Sequence, residues 1–159
     1  MQAALLAGDA FADRVAGPKA LGAKADLYQR SLGWRELGRR TGELVRATGA
    51  HTVASAVRAE TAALIYYLRD VPVRVVSWPS SKIPDHHFDL TRPLDASAQE
   101  PIVVVGQCGI VSRLTPFYRD VTPLGELRVA TGPNSSRQFF AYKLAGHKGS
   151  IEPIGDCVR

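Results

Sequence analysis

The stretch from Thr52 to Trp78, TVASAVRAETAALIYYLRDVPVRVVSW, decides the fold. It opens with Thr52–Ser55, which is short and small enough for a buried strand. Arg58–Arg69 then carries apolar residues at helical spacing, and Val71–Trp78 is β-branched and partly alternating, which predicts a second strand. A strand, a helix and a strand so close together predict a βαβ unit with parallel strands. Because Pro72 has no N–H to donate, we expect it at the start of the second strand or at a sheet edge.

On the N-terminal side, the spacing predicts a helix over residues 34–48, with Gly49 as its C-cap. One face of that helix is apolar and consists of Trp34, Leu37, Leu44 and Val45. Residues 1–30 are rich in Ala and Gly and are interpreted as a lead-in segment.

On the C-terminal side, the pattern predicts a long polar loop and further sheet elements. In order, these are a loop over Pro79–Glu100, a buried strand Ile102–Val105, a short helix within Ser112–Asp120, and strands Gly125–Ala130 and Gln138–Leu144 joined by a turn at Pro133-Asn134. The predicted fold class is α/β, a three-layer sandwich with a mixed, mainly parallel sheet and an antiparallel C-terminal hairpin. Residues 31–150 would form the single domain, and 151–159 a C-terminal tail.

Composition and charge exclude several classes of protein. The chain has 159 residues, 45% of them hydrophobic, and a net charge of +5, which fits one globular domain. Its only adjacent basic pair is Arg39-Arg40, so it lacks the basic stripe of a nucleic-acid binder, although weak attraction to an anionic membrane surface is compatible with the charge. The longest uncharged run, Pro101–Ser112, is too short to span a bilayer. Met1–Gly17 is interrupted by charged residues and does not fit a signal peptide.

The two cysteines, Cys108 and Cys157, leave two readings open. They are either free thiols or, in an oxidising compartment, a disulfide. Gly106-Gln107-Cys108-Gly109 looks at first like the nucleophile motif of a cysteine protease, but His147 alone does not supply the partners that such a nucleophile needs. We interpret this segment as a tight turn after the central strand.

Two groups of residues are candidate binding sites. Asp85-His86-His87-Phe88-Asp89 lies in the long loop, and such loops border the ligand crevice of open α/β sheets. Zinc would need a further ligand, so neither a metal nor a cofactor is expected. The alternative is a structural loop in which Phe88 and Leu90 plug the core and Asp89 caps backbone donors.

The second group, Arg58 and Glu60, opens the helix of the βαβ unit. A helix N-terminus can bind an anion, and the alternative is a salt-bridged surface pair. The predicted ligand-binding residues are therefore Arg58, Glu60, His86, His87 and Asp89, and no residue is identified as catalytic.

Short segments in a fixed order carry a resemblance to a known family. They are Gly33-Trp34-Arg35-Glu36-Leu37, Arg58-Ala59-Glu60-Thr61-Ala62-Ala63-Leu64, Tyr66-Tyr67-Leu68, Phe88-Asp89-Leu90 and Phe140-Ala141-Tyr142-Lys143-Leu144-Ala145-Gly146-His147-Lys148-Gly149. In this order they resemble the soluble C-terminal domain of bacterial membrane glycosyltransferases, in the superfamily of protein O-mannosyltransferases and the aminoarabinose transferases that modify lipid A. The similarity covers roughly Asp26 to Gly149. The chain departs from the family pattern at Ala59, often Tyr, and at Thr91, often aromatic.

The resemblance implies a domain on the periplasmic face of the bacterial inner membrane. Family members use a polyprenyl-phosphate sugar donor and hold their catalytic carboxylates in a loop between early transmembrane helices, so this domain would be an accessory without catalytic activity of its own. Its partners would be the transmembrane part of the same protein and a lipid-linked sugar or its lipid or protein acceptor. If Met1 is the natural start, the chain is instead a cytoplasmic, free-standing α/β enzyme or ligand-binding protein that uses the 79–95 loop and the 106–109 turn.

Overall fold

A computed structural model describes residues 32–132 and 135–154. Its elements in chain order are α1 (Trp34–Thr48), β1 (Thr52–Ser55), α2 (Arg58–Tyr67), β2 (Arg74–Ser77), α3 (His87–Thr91), β3 (Ile102–Gly106), α4 (Val111–Leu114), β4 (Tyr118–Gly132) and β5 (Ser135–His147). The predicted lead-in over 1–30 and the turn at Pro133-Asn134 lie outside the described residues.

The strands form one mixed sheet in the order β2-β1-β3-β5-β4. β1 pairs in parallel with both β2 and β3, while β5 pairs antiparallel with both β3 and β4. The predicted α/β class, the βαβ unit and the antiparallel C-terminal hairpin are therefore confirmed. The prediction that the sheet is mainly parallel is wrong. Parallel and antiparallel strand pairs are equal in number, and the longest ladder is the antiparallel one between β4 and β5, because β5 runs antiparallel to both of its neighbours.

The core lies on both faces of this sheet, because alternate residues of each strand point to opposite faces. On one face, α1 and α2 cover a cluster that includes Val53, Val103 and Val129. On the other face, α4 and the segments around Trp78 and Ile154 cover a second cluster. Three layers result, as predicted.

The predicted helix over 34–48 is confirmed as α1, and Gly49 follows it in the left-handed conformation with φ 64°. Gly38 is buried where α1 crosses α2. A Cβ at this position would lie 2.3 Å from the Cβ of Tyr67, so only glycine permits this approach of the two helices. None of the helices in residues 32–132 and 135–154 is long and apolar enough to cross a membrane.

Several elements differ in extent from the prediction. β2 begins only at Arg74, after Pro72, and the predicted loop over Pro79–Glu100 contains the five-residue helix α3. After α3 the chain returns to the outer side of β2, where Pro93 bridges Ser77 in parallel orientation.

The C-terminal hairpin is longer than predicted. β4 already begins at Tyr118, and it forms an outer edge of the sheet. Its register with β5 shifts between Pro123 and Gly125 and again between Ala130 and Gly132. These irregularities break the alternation by which its first half could have been recognised.

The start of the predicted tail packs against the domain. The indole N–H of Trp78 donates a hydrogen bond to the carbonyl of Glu152 (3.0 Å), and Arg113 donates to the carbonyl of Ile154 (3.0 Å). Ile154 is buried in the second cluster.

Candidate functional site

The three parallel strands end side by side. β1 ends at Ser55, β2 at Ser77 and β3 at Gly106, and we call the border that these residues form the carboxyl edge. Ser55 and Ser77 are register partners. Since the chain passes from β1 to β2 on one side and then to β3 on the other, the strand order reverses at β1. Ligands of open α/β sheets bind at this kind of switch point.

Glu60 occupies the space between the ends of β1 and β3. It lies in the first turn of α2, yet it is fully buried. One carboxylate oxygen accepts a hydrogen bond from the hydroxyl of Ser55 (2.6 Å), and the other accepts one from the amide of Gln107 (2.9 Å). Glu60 therefore links the end of β1 to the turn that follows β3.

Burial raises the pKa of Glu60 to about 7. The hydrogen bonds from Ser55 and Gln107 and the positive charge of Arg137 lower this pKa, but their effect is smaller than that of burial. The carboxyl group therefore changes charge close to neutral pH. The expected salt-bridged surface pair of Arg58 and Glu60 is wrong: Arg58 is exposed, whereas the helix turns Glu60 inward, where Ser55 and Gln107 supply uncharged partners.

Arg137 and Trp34 lie beside this group. The guanidinium carbon of Arg137, on β5, lies 4.4 Å from the centroid of the Trp34 ring. The Trp34 ring also packs against the ring of Phe139, with a distance of 6.2 Å between the ring centroids. Neither Arg137 nor Gln107 was predicted to be a neighbour of Glu60. A single Arg in a strand and a Gln after one carry no local signal, since only the folded sheet brings them together.

A second buried carboxylate lies at the end of β2. Asp89, on α3, accepts a hydrogen bond from the hydroxyl of Ser77 (2.7 Å) on one oxygen and from the backbone N–H of Asp85 (3.0 Å) on the other. The predicted capping of a backbone donor by Asp89 is thus confirmed. Only 4% of the Asp89 side chain is exposed.

His86 lies against this carboxylate. Its Nδ1 atom is 3.5 Å from Oδ1 of Asp89, and 9% of its side chain is exposed. Both ring nitrogens are buried without a hydrogen-bond partner among the described residues. His87, by contrast, is exposed, and its ring meets Phe88 edge-on at a centroid distance of 5.7 Å.

The structure thus brings three of the five predicted binding residues to the carboxyl edge. Glu60, His86 and Asp89 lie there in the interior, and Arg58 and His87 lie on the surface. Leu90 contradicts the prediction that it plugs the core, because it is 69% exposed. The short helix α3 directs the side chain of Asp89 inward to Ser77, and the side chain of the next residue, Leu90, therefore points outward.

The turn after β3 is fixed covalently. Cys108 is disulfide-bonded, which excludes it as a free thiol, and the other cysteine, Cys157, lies outside the described residues. Cys108 is half-buried and packs against the second core cluster. A sulfur held in a disulfide is not a nucleophile, so the interpretation of residues 106–109 as a turn agrees with the structure.

The arrangement supports binding and structural roles. Each strand-end serine donates its hydroxyl proton to a carboxylate, Ser55 to Glu60 and Ser77 to Asp89. Within the described residues, no group of three or more His, Cys, Asp or Glu side chains could hold a metal ion.

Comparison with protein-family models, curated proteins and solved structures finds no significant match for this chain.

Proposed function

We propose that this chain is the periplasmic C-terminal domain of a membrane glycosyltransferase that uses a polyprenyl-phosphate sugar donor. The domain would be an accessory to a catalytic site between transmembrane helices of the same protein. The observation that supports the proposal is that the segments with the family resemblance supply residues that hold this fold together.

The contributions of these segments are specific. Gly33–Leu37 provides Trp34, which contacts Phe139, and the fully buried Leu37. Arg58–Leu64 provides Glu60, and Phe88–Leu90 provides Asp89, so the two buried carboxylates of the carboxyl edge both come from resembling segments.

The last resembling segment, Phe140–Gly149, forms the end of β5 and its exit. Gly146 has φ 72°, and a Cβ there would lie 3.0 Å from the Cβ of Arg119. The backbone N–H groups of Gly146 and His147 donate to the carboxylate of Glu100 at 2.7 and 2.9 Å. The resembling segments thus supply residues that position and close the sheet of this domain, which supports the proposal.

The disulfide at Cys108 supports the proposed location. Disulfides persist in oxidising compartments, the bacterial periplasm among them, and are rare in the cytosol.

The complete reading frame and a transfer assay test the proposal. We expect the reading frame to encode several further segments of about 20 consecutive apolar residues. Membranes that contain the complete protein should transfer sugar from a polyprenyl-phosphate donor, and purified residues 1–159 should not. A reading frame without apolar segments, or turnover by purified 1–159, would contradict the proposal.

A second candidate function is binding of a small ligand at the carboxyl edge, with the 79–95 loop and the 106–109 turn as its walls. Two observations favour it: Gln107 of the turn binds Glu60 at the switch point, and the ring nitrogens of His86 are buried without a hydrogen-bond partner among the described residues.

A thermal-shift screen of residues 1–159 with monosaccharides and monosaccharide phosphates tests this second function. A stabilising compound should lose its effect in Glu60→Gln and His86→Ala and keep it in His87→Ala, the exposed neighbour. Equal shifts in all three variants would place binding elsewhere.

A further inference from the structure

Helix α3 has an inverted distribution of polar and apolar side chains. Asp89 and His86 lie inward with 4% and 9% of their side chains exposed, whereas Leu90 is 69% exposed. A short helix at the surface of a domain normally buries its leucine and exposes its carboxylate. Here the hydrogen bond from Ser77 to Asp89 fixes the helix in the opposite orientation, so the outward position of Leu90 is built into the fold.

Leu90 belongs to a group of exposed apolar side chains at one edge. Among the described residues, the exposed large apolar side chains are Ile83 (77%), Leu90 (69%), Tyr66 (58%) and Val111 (38%). Ile83 lies in the loop between β2 and α3, and Leu90 lies in α3, so both follow β2, which ends at the carboxyl edge. Val111 lies on α4, which covers the second core cluster on one face of the sheet. We call Ile83 and Leu90 the apolar edge patch.

Tyr66 lies at the other end of the sheet. α2 begins after the end of β1 and returns to the start of β2, which is parallel to β1. Its last turn, which contains Tyr66, therefore lies at the amino ends of the strands. Ile83 and Leu90 therefore lie toward the carboxyl edge, and Tyr66 at the opposite end serves as an internal control.

Basic side chains flank the patch. Lys82 precedes Ile83 and Arg92 follows Leu90 by two residues, and both are exposed. Neither forms an ion pair within residues 32–132 and 135–154. Among the acids nearest to them in the chain, Asp85 accepts a hydrogen bond from Ser80 (2.8 Å) on its carboxylate, and Asp89 faces inward. Exposed apolar residues next to Lys and Arg are typical of segments that lie in the interface of an anionic bilayer.

We propose that the apolar edge patch docks this domain onto the surface of an anionic lipid bilayer, with Ile83 and Leu90 entering the interface and Lys82 and Arg92 contacting the lipid phosphates. This inference rests on the proposed function, since a domain of a membrane protein stays within reach of a bilayer. Docking would also keep the carboxyl edge directed at the membrane.

Vesicle co-sedimentation of residues 1–159 tests the proposal. We expect binding to vesicles of phosphatidylglycerol and phosphatidylcholine that weakens as salt is raised. Ile83→Ser and Leu90→Ser should each weaken binding about tenfold, which corresponds to ~1.4 kcal/mol. Lys82→Gln and Arg92→Gln should each weaken it about fivefold.

The matched control is Tyr66→Ser, which removes a comparably exposed side chain at the opposite end of the sheet and should leave vesicle binding unchanged. Because every substituted side chain is exposed, the variants should unfold at the same temperature as the wild type. Lack of vesicle binding, equal binding to pure phosphatidylcholine, or equal losses in Tyr66→Ser and Leu90→Ser would overturn the proposal. Lack of vesicle binding would leave the proposed glycosyltransferase function standing, because the reading frame and the transfer assay test it independently.

Discussion

The two serine–carboxylate pairs of the carboxyl edge have the same chemistry in different surroundings. In each pair, the serine that ends a parallel strand donates to a carboxylate on the helix that follows, Ser55 to Glu60 and Ser77 to Asp89. The first pair lies between β1 and β3 in the interior of the sheet. The second lies beside β2, at its outer side, and its carboxylate comes from a five-residue helix.

The difference shows how position decides what such a pair does. Glu60, on α2, binds Gln107, which is 47 residues away in the sequence. Loss of Glu60 should therefore destabilise the whole fold. Asp89 joins α3 to a strand only 12 residues away, so its loss should loosen one loop.

The largest expected effect comes from Glu60→Ala. This substitution leaves the hydroxyl of Ser55 and the amide of Gln107 without their acceptor and opens a cavity, so the free energy of unfolding should fall by about 3 kcal/mol. Denaturant unfolding measures it. Arg58→Ala, an exposed position two residues earlier, should change stability by less than about 0.5 kcal/mol. If both variants lost the same free energy of unfolding, the interior pair would contribute no more to stability than a surface side chain does.

The pH dependence of stability should be the next largest effect. Because the pKa of Glu60 is raised from 4.5 to about 7, the folded state holds this proton more tightly than the unfolded state. This contribution to stability is complete at low pH and is lost as the pH rises through about 7. It amounts to about 2 kcal/mol between pH 5 and pH 8.

Denaturant unfolding across this pH range, with Glu60→Gln as the variant, measures that contribution. The amide does not titrate, so the variant should show a flatter profile than the wild type. Identical slopes in the two proteins would mean that Glu60 does not govern stability near neutral pH.

The smallest effect is expected for Asp89→Ala. Loss of the contacts to Ser77 and to the N–H of Asp85 should cost about 1 kcal/mol and raise hydrogen exchange mainly over residues 85–92. Asp85→Ala, an exposed carboxylate of the same loop, is the control and should leave exchange of α3 unchanged. Faster exchange throughout the sheet would show that this pair, like that of Glu60, holds the whole fold.

Elements with regular local patterns could be predicted from the sequence. α1 and β1 have the predicted bounds, because a clear apolar face with a C-cap glycine and a short buried run are local signals. The first half of β4 could not be predicted, since its residues are mostly exposed and Pro123 and Gly125 interrupt it.

The candidate site was predicted in part, and its errors share one cause. Residue type alone favours a surface position for Glu60 and a core position for Leu90, and the structure reverses both. Each reversal depends on a hydrogen bond that residue type does not reveal, from Gln107 to Glu60 and from Ser77 to Asp89 on the helix that carries Leu90. Such pairings follow from the strand order and not from any local period.

The irregular β4 strand has a consequence for the behaviour of the protein at high concentration. An outermost strand as long as Tyr118–Gly132 would ordinarily offer its free backbone groups to a second molecule. Here Pro123 removes a donor, two register shifts twist the ladder, and exposed charged side chains such as Arg119 and Asp120 disfavour the approach of another strand. The free border of the sheet is thereby protected against strand-to-strand polymerisation, and we expect concentrated solutions to resist fibril formation through this border.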